Sequence, residues 1–296
     1  GGYAAGQGTT VQFGGAALSI SNNITVQEPI STNGTGVSAG GAIVFTSGSN
    51  TYSGAITLAA DSSIVSLSGA QTISGAINGL YGLTITASDH LTLSGTIGAT
   101  APPTSLSVTT TGSGILALNA NVSTSGAQSY TAAGNITIGS DRTLVGSTIT
   151  TNSALSGAYA LTITGNAVFG DGTGTDTVTL SGSSKNLSVS GTTTLKADVS
   201  TSGTQTYTST VTLATADRTL TGTTITTAAI TGAGFSLTET GNAVINGAIS
   251  DVNIFSVSGT TTLGANVSTT GTQTYSGAVT IYAASGTGTT RTITTT

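Results

Sequence analysis

Apolar side chains recur at every second position in short runs along this chain, with threonine and serine between them. Val211-Thr212-Leu213 is typical, and Leu220, Ile225 and Leu237 lie in similar runs. Period two marks a strand with one face buried and one face wet. Glycine, asparagine and aspartate punctuate the runs, and Asn-Gly, Ser-Gly and Thr-Gly pairs supply residues that tolerate positive φ at corners. No segment places apolar residues at i, i+3, i+4 and i+7, and Thr, Val, Ile and Gly are poor helix formers. The pattern therefore predicts an all-β chain of many short strands joined by tight corners.

The runs also repeat on a longer scale. Gly48-Ser49-Asn50-Thr51-Tyr52 returns as Gly126-Ala127-Gln128-Ser129-Tyr130, Gly203-Thr204-Gln205-Thr206-Tyr207 and Gly271-Thr272-Gln273-Thr274-Tyr275. The first two intervals between these tyrosines are nearly equal, and the last is shorter. Inside the last interval the sequence divides at glycines into three segments of similar length, 204–222, 223–241 and 242–259, and a short one, 260–271. The preceding interval is longer mainly through an insertion between Asp171 and Asn186.

A unit of about 20 residues with two or three short strands cannot bury its apolar face alone and is stabilised by stacking on its neighbours. The sequence thus predicts a right-handed parallel β-helix, a β-solenoid with rungs of about 19–20 residues, since parallel crossovers are overwhelmingly right-handed. About 15 rungs stacked at about 4.8 Å would give a rod on the order of 70 Å long. One continuous solenoid is expected over residues 1–296. Residues 1–46 form a slightly different rung type, and 47–296 carry the long repeats. The chain opens at Gly1 without Met or a leader and stops at Thr296 within a repeat, so it is expected to be a piece of a longer protein.

Composition excludes several classes. Charged residues are only 5% and the net charge is −5, so no basic patch is available to track a phosphate backbone, and nucleic acid is not an expected partner. Apolar residues reach 36%, which separates the chain from disordered Gly/Ser/Thr-rich sequences. No apolar run is long enough to cross a bilayer, so no membrane-spanning helix is expected. Cysteine is absent, which removes disulfides and thiolate metal sites.

The segment Ile24-Thr25-Val26, Pro29-Ile30, Asn33-Gly34 and Gly40-Gly41-Ala42-Ile43 resembles rungs of filamentous-haemagglutinin-like exoproteins exported by two-partner secretion or as autotransporters. The phrase at 271–280, and Tyr159-Ala160-Leu161-Thr162-Ile163-Thr164-Gly165-Asn166-Ala167-Val168, are similar to very large bacterial β-strand-repeat surface proteins. The resemblance covers nearly the whole chain. It implies a right-handed β-helical rod on the bacterial cell surface or in an extracellular biofilm matrix. The signal peptide and secretion domain of such proteins are not among these residues.

Candidate chemistry is sparse. His90, the single histidine, lies in Ser88-Asp89-His90-Leu91 without a convergent partner in sequence and reads as a corner residue. Asp171-Gly172-Thr173-Gly174-Thr175-Asp176 is loosely like a calcium loop, but it offers two carboxylates where calcium takes six to eight oxygens. Asp141-Arg142-Thr143-Leu144 and Asp217-Arg218-Thr219-Leu220 occupy matching places, with Arg291-Thr292-Ile293 a third; they read as solvated corners that deter lateral pairing. Tyr52, Tyr130, Tyr207 and Tyr275, about four rungs apart, form either an exposed sugar-stacking stripe or buried markers of wide rungs. Sequons at Asn121, Asn135 and Asn266 follow from composition. No catalytic, cofactor or metal residue is assigned.

These readings converge on a non-enzymatic structural or adhesive segment, secreted and self-associating into filaments or bundles, with surface glycans or proteins of a host or neighbouring cell as further partners. A polysaccharide-degrading enzyme would need paired carboxylates or a basic residue with calcium. An ice- or crystal-binding Thr-rich solenoid is the alternative, given Thr148-Ile149-Thr150, Thr192-Thr193-Thr194 and Thr224-Ile225-Thr226. Rungs of such unequal length are expected to break the register that an ice-binding face needs.

Overall fold

The computed structural model describes residues 8–11, 15–173, 176–282 and 290–295; Gly1 and Thr296 lie outside them. The chain is all-β, with parallel strands stacked in a β-solenoid of about 13 turns, slightly fewer than the sequence predicts. A single 3-10 turn at Val37–Ala39 is the one helical element among the described residues. The chain divides into two compact units, Gly1–Ile149 and Thr150–Thr296.

In the first unit each turn contributes one strand to each of three parallel ladders. The Thr9 ladder runs through Ile30–Thr32, Ile56–Leu58, Ile77–Asn78, a bridge at Ile97, and Val122–Ser123. The Leu18 ladder takes Ile43–Phe45, Ser62–Ser66, Gly82–Ala87, Ser105–Thr110 and Gln128–Ala132. The Thr25 ladder takes Thr51–Tyr52, Gln71–Ile73, Leu91–Leu93, Leu116–Leu118 and Ile136–Ile138. Alternate residues face inward, so Ile30, Ile56, Ile77 and Ile97 stack as one buried column. Each such side chain contributes about 1.5–3 kcal/mol by leaving water, and none could do so without the turns on either side.

The second unit has the same plan. The Leu155 ladder passes through Val178, Val199, Leu220, Glu239, Val257 and Tyr275. The Leu161 ladder passes through Leu187, Gln205, Ile225, Ala243, Thr261 and Val279. The Ala167 ladder passes through Thr193, Val211, Ile230, Ile249 and Val267. From Ala243 to Val279 the ladder positions Ala243, Ile249, Phe255, Thr261, Val267, Gln273 and Val279 are evenly spaced, which gives a turn of three equal sides.

Turn length can be read from paired residues. Short turns run from Phe255 to Gln273, and long ones from Leu161 to Leu187 and from Ile30 to Ile56. The short rung expected at 260–271 does not exist, because Thr261 pairs with Val279 and not with a residue near Gly271. That segment is two sides of a triangle, and the repeated phrase restarts on the next side rather than after a whole turn. The variable lengths leave most of the strand register intact, with extra residues in the corners on either side of Thr177–Leu180. It slips by one residue at two places, between Thr221 and Thr224 and between Ile249 and Val252.

The corner glycines take positive φ as the sequence predicts, among them Gly34 and Gly79 after asparagine, Gly69 and Gly182 after serine, and Gly165 and Gly241 after threonine. Among the described asparagines and aspartates only Asn22, Asn23 and Asp251 do so. More often the side chain reaches along the stack. The Oδ1 of Asn121 accepts from Thr143 N–H (3.0 Å), that of Asn186 from Thr204 N–H (2.8 Å), and that of Asp198 from Thr219 N–H (2.9 Å). An amide at or beside a corner is thereby satisfied by the adjacent turn. Close stacking fixes the glycine at Gly75, where a Cβ would overlap the Gly54 carbonyl oxygen.

Candidate functional site

The recurring phrase proves to be a buried hydrogen-bonded unit. Gln and Tyr are two positions apart on a strand and so face the same way, inward. The Tyr130 hydroxyl donates to Gln128 Oε1 (2.8 Å), Tyr207 to Gln205 Oε1 (2.9 Å) and Tyr275 to Gln273 Oε1 (2.8 Å). The Gln Nε2 then donates to a carbonyl of the next turn: Val145 (2.7 Å), Thr221 (2.7 Å) or Thr294 (2.9 Å). A threonine shortly before each Gln donates its hydroxyl to the corner glycine, Thr124 to Gly126 O, Thr201 to Gly203 O and Thr269 to Gly271 O. Phe255 meets the Tyr275 ring edge-on, with centroids 6.1 Å apart. The first copy differs: Tyr52 donates to Glu28 O (2.7 Å), and Asn50 pairs with Gln71 Oε1 through its backbone N–H (3.0 Å) and Nδ2 (3.1 Å).

Tyr52, Tyr130 and Tyr207 are buried and Tyr275 is half-buried, so the phrase packs inward and offers no exposed stacking stripe. Burial pushes all four phenols up, Tyr275 to about 12, where the neighbouring Glu239 adds to the effect. Nor do the tyrosines line one side. Tyr52 is in the Thr25 ladder and Tyr130 in the Leu18 ladder; Tyr207 is in the Leu161 ladder and Tyr275 in the Leu155 ladder.

The other sequence candidates stay apart. His90 Nδ1 lies 2.5 Å from Asp89 Oδ1, both half-exposed, and this contact holds the Asp89 carboxyl below its usual range. Asp171 accepts from the backbone (2.6 Å) and hydroxyl (2.9 Å) of Thr173, which lowers its pKa, while partial burial raises that of Asp176. Gly174 and Thr175 of that motif lie outside the described residues. Among the described residues no three His, Asp or Glu side chains converge as a metal site requires. Arg218 is not a solvated corner. Its side chain is 12% exposed, with Nη2 donating to Ala214 O (3.1 Å) and Thr215 Oγ1 (2.7 Å) and Nη1 4.0 Å from Asp198. Arg142 and Arg218 open strands of the same inward alternation, and Arg291 Nη2 donates to Tyr282 O (3.1 Å). Asn121, Asn135 and Asn266 are exposed at corners.

Sequence reasoning missed the most unusual side chain. Glu239 is fully buried in the Leu155 ladder between Leu220 and Val257, and neither carboxylate oxygen has a hydrogen-bond partner. Desolvation pushes its carboxyl up to about 8. Aligning the repeats would have found it. Leu161-Thr162-Ile163-Thr164-Gly165-Asn166-Ala167-Val168 is rewritten as Leu237-Thr238-Glu239-Thr240-Gly241-Asn242-Ala243-Val244, with Glu for Ile as the only change.

The outward surface is mostly hydroxyl. On the Leu161 ladder Ser188, Thr206, Thr226, Val244, Thr262 and Thr280 stand in register on successive turns. On the Ala167 ladder Thr194, Thr212, Thr231 and Ser250 do the same. In comparisons with family models, curated proteins and solved structures, none matches this chain.

Proposed function

We propose that this chain is a non-catalytic, structural segment of a secreted bacterial surface or extracellular-matrix protein, of filamentous-haemagglutinin-like or β-strand-repeat type, which self-associates into filaments or bundles. The observation that supports this reading is the pairing of a closed interior with hydroxyl-lined outward rows almost free of charge. Charged residues are 5% of the chain, so electrostatic repulsion hardly opposes lateral contact. Threonine rows in register offer a repeated pattern of donors and acceptors to a like surface, or to glycans and proteins of a neighbouring cell. Electron microscopy with sedimentation tests the reading: filaments or bundles with an axial spacing near about 4.8 Å are expected, and particles that stay single at high concentration in high and low salt would refute it.

A second reading, an ice- or crystal-binding face, is favoured by the unbroken register of Thr206 with Thr226 and of Thr262 with Thr280. Val244 interrupts this row. Inhibition of ice recrystallisation, abolished by Thr226→Leu with Thr262→Leu, would select this reading over the first.

A further inference from the structure

The Leu155 ladder carries an inward acid where an aliphatic side chain fits. Leu220, Val257 and Phe255 around Glu239 are fully buried, and both carboxylate oxygens lack a partner. The matching place in the preceding repeat holds Ile163, also buried, so nothing in the strand's own geometry demands an acid. An ionised carboxylate in such surroundings is strongly disfavoured, whereas the neutral acid is tolerated.

We propose that Glu239 is a proton-operated switch in the interior of the second unit: the turns around it stay packed while it is the neutral acid, and losing its proton loosens them. The elements packed against it hold few other titrating groups. The strand Arg218–Thr227 contributes Arg218, whose guanidinium is engaged with Ala214, Thr215 and Asp198. Phe255–Val257 and Thr261–Leu263 contribute none. Tyr207 and Tyr275 feel the carboxylate, and their hydroxyls are turned to Gln205 and Gln273. Asp217 binds Ser236 N–H (2.8 Å) at an exposed corner, and Asp251 is exposed. Among these described groups no cation takes up the charge, since Arg218 is committed elsewhere.

The sign follows from linkage. The folded-state carboxyl is raised from 4.5 to about 8, so between these values the folded chain holds a proton that the opened chain has lost. Opening is then promoted about tenfold per pH unit across that window and levels off above it. The test is hydrogen exchange of the whole chain from pH 5 to pH 9, corrected for intrinsic rates, comparing wild type with Glu239→Gln. Wild-type protection over residues 218–275 should fall about tenfold per pH unit relative to the variant up to about pH 8. Residues 161–169, with Ile163 in place of the acid, should behave alike in both proteins. Should Glu239→Gln fail to fold, Glu239→Ile supplies the same non-titrating reference. Parallel pH dependence in wild type and variant, or a Glu239 carboxyl that titrates near 4.5 by carbon NMR, would overturn the proposal.

Discussion

The strands Leu161–Phe169 and Leu237–Ile245 have nearly the same sequence but occupy different sides of the second unit. In the first, Leu161–Ile163 pair with Leu187–Val189 in the Leu161 ladder; in the second, Leu237–Glu239 pair with Phe255–Val257 in the Leu155 ladder. Their local devices are the same. Gly165 and Gly241 both turn the corner with positive φ, 135° and 138°. The Ser190 and Ser258 hydroxyls accept from their N–H groups, and the Oδ1 of Asn166 and of Asn242 accepts from Thr192 and Thr260 N–H, 2.9 Å each. The sides of a turn are therefore interchangeable, and a corner-and-strand phrase works wherever it lands. What distinguishes the two regions is one interior side chain, Ile163 against Glu239.

The most disruptive way to break that comparison is Ile163→Glu. It plants a second unpartnered carboxylate and should cost about 4–5 kcal/mol at pH 9, recovering in part below pH 5. Denaturant midpoints at both pH values would reveal it, and a pH-independent loss would show that size alone matters. The reverse change, Glu239→Ile, should stabilise the chain by about 4 kcal/mol at pH 9 and much less at pH 4.5, since the wild-type penalty builds up only between those values. Next in size, Tyr207→Phe leaves Gln205 Oε1 buried without its donor and should cost about 1–3 kcal/mol. Tyr275→Phe should cost less because that copy is half-buried; equal losses in thermal denaturation would contradict the burial argument. The smallest effects belong to Asn166→Ala and Asn242→Ala, about 1 kcal/mol each and alike within error. A marked difference would mean that the two corners are not equivalent.

Fold class was legible because period two and short runs leave few alternatives to stacked parallel strands. The length of a turn was harder to read. Glycine-bounded segments suggested an unusually short rung after Thr260, but interchangeable sides mean that a repeat in sequence counts sides rather than turns. The insertion after Asp171 was seen as lengthening a unit, and it spans a whole side of the turn, the paired strand Thr177–Leu180, with the corners before and after it. The tyrosines could not be placed from their own spacing; the deciding clue was the glutamine two positions earlier, which shares their inward parity. Arg218 looked solvated because charge usually is, yet its neighbours Ala214 and Thr215 form a polar niche that only the corner geometry creates. Glu239 escaped notice as one letter among threonines, and only the copy with Ile163 shows that the position is interior.

The interchangeable sides carry a consequence for how such a chain can grow. From Tyr207 to Tyr275 the phrase moves from one ladder to another, and both copies close the same hydrogen bonds. A duplication of coding sequence therefore need not span a whole turn to be accepted; any piece that ends at a corner restores pairing on whichever side comes next. Unequal crossing-over between copies is then expected to keep strand pairing whenever its joint falls at a corner, and the coding sequence can lengthen by single sides of a turn.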